Sequence, residues 1–260
     1  MSFSSKFTIS SAFILLSSLT GCGNQQAPVT ASSQNNIQNT ATAPYQTNAG
    51  GSNSKTTSEK LGTKWGENIA SSVTTRQATR ETNTPTSMAS IYYSTNPDRS
   101  YPTSYIALDK ILMQVQDPYK RKMKLYPNGN NNYTLQGKEG QRYQLYFYNN
   151  SPEQSYEVVT TVDGIDVVSG QTGSVRRRGY IISPQTSLTI AGFRKSQSDV
   201  AAFRFSKPEH SYAAHSVAGD ISNTGVIGVA VFPLLPQTPP KCAQQAFPQD
   251  SEYAPPPCQK

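Results

Sequence analysis

The dipeptide Asp163-Gly164 stands between two apolar, β-branched runs, 156–162 and 165–168. Two residues that tolerate positive φ, set between apolar segments, specify a tight primed turn and therefore a β-hairpin. The same period of two, carried by β-branched and aromatic side chains, recurs across 91–233. Further strands are expected at 122–126, 179–182, 187–190, 200–205 and 226–232, with a short strand or helical turn at 105–113. Segments 133–135 and 142–149 read as two strands joined across Gly137 and Gly140, and Pro127-Asn128-Gly129-Asn130 marks a turn before them. The run 225–232 is almost continuously apolar, which suits a central strand covered on both faces. Connections this short leave no room for helical crossovers, so the expectation is an all-β fold, an antiparallel sandwich or a partly closed barrel. About 140 residues suffice to bury a core without metals or internal disulfides.

The N-terminus is of another kind. Lys6 precedes an apolar stretch, 7–19, that falls short of the roughly 20 residues a membrane-spanning helix needs, and it reads as a secretory signal. Leu19-Thr20-Gly21-Cys22 resembles the lipobox of bacterial lipoproteins. That resemblance implies removal of 1–21 as a signal peptide and acylation of Cys22, so that the chain is held to a membrane by lipid. Gly23, where an Asp would imply inner-membrane retention, implies the outer membrane, facing the periplasm or the cell surface. From Gly23 to Ser54 there is no charged residue, and Gln, Asn, Ser, Thr, Ala and Gly dominate. Such a composition cannot offset the entropy of ordering, so 22–54 is expected to be a disordered stalk spanning on the order of 30 Å.

Residues 55–90 form an arm of the domain. The spacing of Trp65, Ile69 and Val73 allows one or two turns of amphipathic helix, which Thr74, Thr75 and Pro85 then stop. Trp65, the sole tryptophan, either docks a partner or plugs the edge of the domain. At the other end, 234–260 is a Pro- and Gln-rich tail carrying Cys242 and Cys258. In an exported chain these two thiols are expected to form a disulfide worth about 3 kcal/mol.

Within the domain, Val162-Asp163-Gly164-Ile165-Asp166-Val167, Arg178-Gly179-Tyr180-Ile181-Ile182-Ser183-Pro184, Ile190-Ala191-Gly192-Phe193-Arg194 and the run 225–232 resemble a β-rich domain that recurs in uncharacterised bacterial proteins. That resemblance implies a fold unit and brings no activity with it. Catalytic patterns are thin. The two histidines, His210 and His215, flank Ser211-Tyr212 without a metalloprotease or nucleophile-elbow motif, and a metal would also need Asp199 or Glu209. Asp163 and Asp166 bracket a turn and are expected to serve it rather than to form a glycosidase pair. No cofactor is expected.

A formal charge of +7, expected to fall to +6 when Lys6 leaves with the signal, does not point to nucleic acid in an exported chain. It does concentrate in two clusters, Arg176-Arg177-Arg178 and Lys120-Arg121-Lys122 with Lys124, which could meet lipopolysaccharide phosphates, acidic peptidoglycan groups or an envelope protein. Tyr146 and Tyr148 fall on one side of a strand and could make a carbohydrate-stacking or protein-docking strip. The expected function is a membrane-anchored, non-catalytic binding or scaffold module. The alternatives are a hydrolase of envelope polymer, built on the histidines, and a subunit of an envelope assembly docked through Trp65 or a sheet edge.

Overall fold

The computed structural model describes residues 57–236. The fold is all-β, with strands in three sheets. The largest runs β10-β8-β14-β2-β6-β5, with β9 hydrogen-bonded to β8. Its strands are β2 (Ser87–Ser94), β5 (Leu125–Pro127), β6 (Asn132–Gln136), β8 (Tyr156–Val162), β9 (Ile165–Asp166), β10 (Tyr180–Ile182) and β14 (Val226–Pro233). A four-stranded sheet follows the order β11-β7-β4-β3, from β3 (Ile106–Leu108), β4 (Ile111–Gln116), β7 (Gln144–Asn149) and β11 (Ser187–Ile190). The third sheet holds β1 (Gly62–Ala70), β13 (Asp199–Ser206) and β12 (Gly192–Arg194), in that order. All pairings are antiparallel except β2 with β6. This is the sandwich alternative; no closed barrel forms among the described residues.

One apolar core joins the sheets, with Ile91, Met113, Phe147, Val158, Phe203, Phe205 and Val231 all buried in it. Tyr143 stacks on Phe205 with ring centroids 4.4 Å apart and on Phe203 at 5.3 Å, a close aromatic arrangement at the centre. β14 lies between β8 and β2, as its apolar run requires. Ile227, Val229 and Val231 face the main core. Ala230 and Phe232 point the other way, into a smaller cluster with Val159 that Arg80 covers, its guanidinium 3.7 Å from the Phe232 ring centre. The β8–β9 hairpin closes as its sequence dictates, with Asp163 at φ 54° and Gly164 at φ 75°.

Three expectations need correction. The arm carries a strand where a turn of helix was allowed: β1 pairs with β13, setting Trp65 opposite Phe203. β-branched and aromatic side chains gain more from a neighbouring strand than from a short isolated helix, which has a costly nucleus. Segments 133–135 and 142–149 do not pair with each other; β6 belongs to the large sheet and β7 to the four-stranded one. The chain crosses between the sheets at Gly137, where a Cβ would lie 2.9 Å from Leu61 Cδ1 and 3.0 Å from Phe205, so the close approach needs glycine. Finally, no disulfide bond is present among the described residues, and the core closes without one. Cys242 and Cys258 lie outside the described residues, as do the signal, Cys22, the stalk and most of the tail.

Candidate functional site

Asp163 is far more than a turn residue. It is 1 % exposed, and donors from three parts of the chain converge on its carboxylate. Thr63 N donates to Oδ2 at 2.6 Å, Gly225 N donates to Oδ1 at 2.8 Å, and the Tyr93 hydroxyl donates to Oδ1. Thr63 Oγ1 lies 2.7 Å from both the Tyr93 and Tyr143 hydroxyls, which extends the network into the core. Burial pushes the Asp163 carboxyl up to about 6, against the downward pull of Tyr93 and the backbone donors. Burial likewise holds the Tyr93 and Tyr143 phenols well above their usual range. The result is a clasp joining β1, β2, the β8–β9 turn and the start of β14; a surface cavity lined by Tyr93, Asn223, Thr224 and Gly225 adjoins it, but Asp163 is not among the residues that line it.

The other buried carboxylates act similarly. Asp166 Oδ1 accepts from Ser169 N at 2.7 Å and Ser169 Oγ at 2.6 Å, which shapes the loop after β9. Asp117 accepts from Tyr119 N, Arg121 N and Arg121 Nε, closing the turn after β4. Glu157 accepts from Arg80 Nε at 2.5 Å and from Gly179 N at 2.6 Å.

His210 and His215 are both exposed, and His215 Nε2 lies 2.9 Å from the Glu209 carbonyl oxygen rather than beside a carboxylate. Ser211 is buried as the N-cap of the short helix α1 (Tyr212–His215), its Oγ donating to the Pro208 carbonyl and accepting from Ala214 N. The histidine-centred site expected for a hydrolase is therefore not assembled by these residues. Asp199 bonds Asn68, Ser196 and Ser198, and no metal-binding group of three or more ligands occurs among the described residues.

The arginine trio does not fan toward a common point. Arg178 donates to the Ala78 carbonyl at 2.9 Å and Arg177 Nε to the Thr172 carbonyl at 3.1 Å, while Arg80 binds the carbonyls of Val175 and Arg177. Arg176 and Arg178 are exposed, and the Arg176 side chain has no hydrogen-bond or ion-pair partner among the described residues. Lys120, Arg121, Lys122 and Lys124 are exposed around the turn between β4 and β5, and Arg121 pairs with Asp117 at 2.6 Å. Lys120 holds φ at 64° there, a turn conformation.

Trp65 is 42 % exposed and stacks nearly parallel to Phe193, at 6.1 Å, and tilted against Tyr212, at 4.8 Å. It closes the rim of the core. Trp65→Ala is expected to cost about 2 kcal/mol, below the range for a fully buried aromatic, and chemical denaturation measures it. A loss under about 0.5 kcal/mol would mean that the ring adds little to the core.

Tyr146 and Tyr148 share the outward face of β7, half-buried, while Leu145 and Phe147 enter the core. Tyr146 sits opposite Gln114 on β4 and Thr189 on β11; Tyr148 sits opposite Leu112 and Ser187; Gln144 sits opposite Gln116. None of these eight outward residues is charged. The glutamines escaped the sequence reading, although Gln114 and Gln116, two apart in an apolar run, carried the signal of a polar outer face. The chain matches no family model, no curated protein and no solved structure, so what this surface does has to be argued from its own residues.

Proposed function

We propose that the chain is a lipoprotein of the bacterial envelope, tethered through Cys22, whose β-domain is a non-catalytic binding or scaffold module. The observation that supports binding over catalysis is the use made of the buried carboxylates. Asp117, Glu157, Asp163 and Asp166 each accept hydrogen bonds from the turn or arm they fasten. A catalytic acid or base has to reach a substrate proton; Asp117, Glu157 and Asp163 have both oxygens engaged in this way, and the one oxygen left without a partner, Asp166 Oδ2, is buried. The anchor rests on the Leu19-Thr20-Gly21-Cys22 motif and the uncharged stretch behind it. Lipid would fix where the module works, while the stalk would leave it free to search nearby for lipopolysaccharide, peptidoglycan or an envelope protein.

Replacing Cys22 with Ser is expected to move the protein from the membrane fraction to the soluble one with its melting temperature unchanged, read by fractionation and thermal melting. Membrane association of the Cys22→Ser form that persists in high salt overturns the anchor. Retention of the Cys22→Ser form on detergent-extracted envelope fractions, where lipid insertion plays no part, tests the module itself.

A further inference from the structure

The outward face of the four-stranded sheet holds a directed chain of amides beside two aromatic rings. Gln144 Nε2 donates to Gln116 Oε1 at 3.3 Å, and Gln116 Nε2 donates to Gln114 Oε1 at 2.8 Å. Gln116 is buried, so the middle of this chain is held in place. Its ends are open: the Gln114 amide nitrogen and the Gln144 carbonyl oxygen have no partner among the described residues. Tyr146 and Tyr148 continue the same face from Gln144, spaced about 7 Å along the strand. The Tyr148 hydroxyl donates to Gln185 Oε1 at 2.9 Å, which fixes that ring.

We propose that this face binds an uncharged polysaccharide strand bearing N-acetyl groups; the proposal rests on the binding-module reading and names its ligand. Three observations select this occupant. The eight residues of the face are uncharged, and the nearest charges, Lys122 opposite Gln116 and Arg142 paired with Glu67, stand at one end of it, so a phosphate or carboxylate lying over the tyrosines would be desolvated without a counter-charge. β7 is paired on both sides, to β4 and β11, so an extended peptide cannot add to its backbone. The rings are half-buried, giving low platforms rather than the projecting anchors that dominate protein interfaces. The negative face of a tyrosine ring attracts the weakly positive C–H face of a sugar. An acetamido group supplies one N–H and one carbonyl, which complement the free acceptor of Gln144 and the free donor of Gln114.

The test is calorimetric titration of the full chain, in detergent, with a soluble β-linked N-acetylglucosamine tetramer. Binding is expected, with affinity little changed between about 0.05 and 0.5 M salt because no ion pair forms. Tyr146→Leu with Tyr148→Leu is expected to weaken it by about tenfold or more. Gln114→Leu is expected to weaken it by a smaller factor, and it carries the test alone if the double variant does not fold. Absence of binding, affinity that falls steeply with salt, or affinity unchanged in both variants overturns the proposal. If the tetramer does not bind but the Cys22→Ser form is still retained on detergent-extracted envelope fractions, the glycan assignment fails and the module reading stands. If the chain is not retained on those fractions either, both fail.

Discussion

Asp163→Ala is expected to lower stability by about 4 kcal/mol near pH 5, with Asp163→Asn losing about half as much. The alanine variant leaves Thr63 N and Gly225 N without their buried acceptor and deprives the Tyr93 hydroxyl of one of its partners. It also places a residue poorly suited to positive φ at 54°. Asparagine tolerates that φ and keeps one acceptor oxygen, but it turns an amide toward Thr63 N, where a donor already points. For a domain of this size each kcal/mol is worth about 2–4 °C, so the alanine variant is expected to melt roughly 8–16 °C lower. A shift under about 3 °C would show that the clasp contributes little.

The same carboxyl gives a pH dependence whose sign follows from burial. It titrates near 3.8 without the fold and at about 6 within it, so the folded chain holds the proton more tightly. Its contribution is complete below about pH 4 and is lost as pH rises through about 6, by about 3 kcal/mol at most. Glu67, whose two carboxylate oxygens both accept from Arg204 Nη2, is held below its usual range by that bond and acts in the opposite sense, favouring the fold as pH rises through the acid range. The difference between the parent and Asp163→Asn isolates the Asp163 part. Denaturation curves at several pH values are expected to show the parent's advantage shrinking from pH 4 to 7; an advantage that grows would reverse the assignment.

Arg80→Ala is expected to cost about 3–5 kcal/mol, since it strands the Glu157 charge in the protein. The side chains are 11 % and 4 % exposed, and the guanidinium also holds the Val175 and Arg177 carbonyls while covering Phe232. Amide exchange at 175–179 should quicken in the same variant, because that loop loses its fastening. Replacing both partners with leucine is expected to recover most of the loss. A buried ion pair gives up much of its Coulomb attraction to desolvation, whereas leucines would join Val159, Ala230 and Phe232. A single variant costing under about 1 kcal/mol would leave the outer face of β14 without this explanation.

Both sites show which parts of the fold are written locally. The Asp163-Gly164 hairpin and the central position of β14 were legible, because a turn depends on two residues' φ preferences and a doubly covered strand on its own apolar run. Tyr146 and Tyr148 were likewise placed on one outward face by counting in twos. What Asp163 does was not legible. Its partners Thr63, Tyr93 and Gly225 come from distant parts of the chain, and nothing in the residues around Asp163 names them. The arginine trio was legible as a cluster of charge; that neighbouring carbonyls engage Arg177 and Arg178 was not, because that depends on how distant segments fold around the loop.

The sequence by itself determined an all-β chain, most of its strands and its sharpest turn, since alternation and turn chemistry act over a few residues. Only the tertiary structure decided that the arm is a strand, that β6 and β7 lie in different sheets, and that a turn aspartate is a buried clasp joining β1, β2 and the start of β14. Those outcomes depend on which distant surfaces meet. Long-range pairing is decided by total burial and hydrogen-bond satisfaction, quantities that no local stretch of sequence contains.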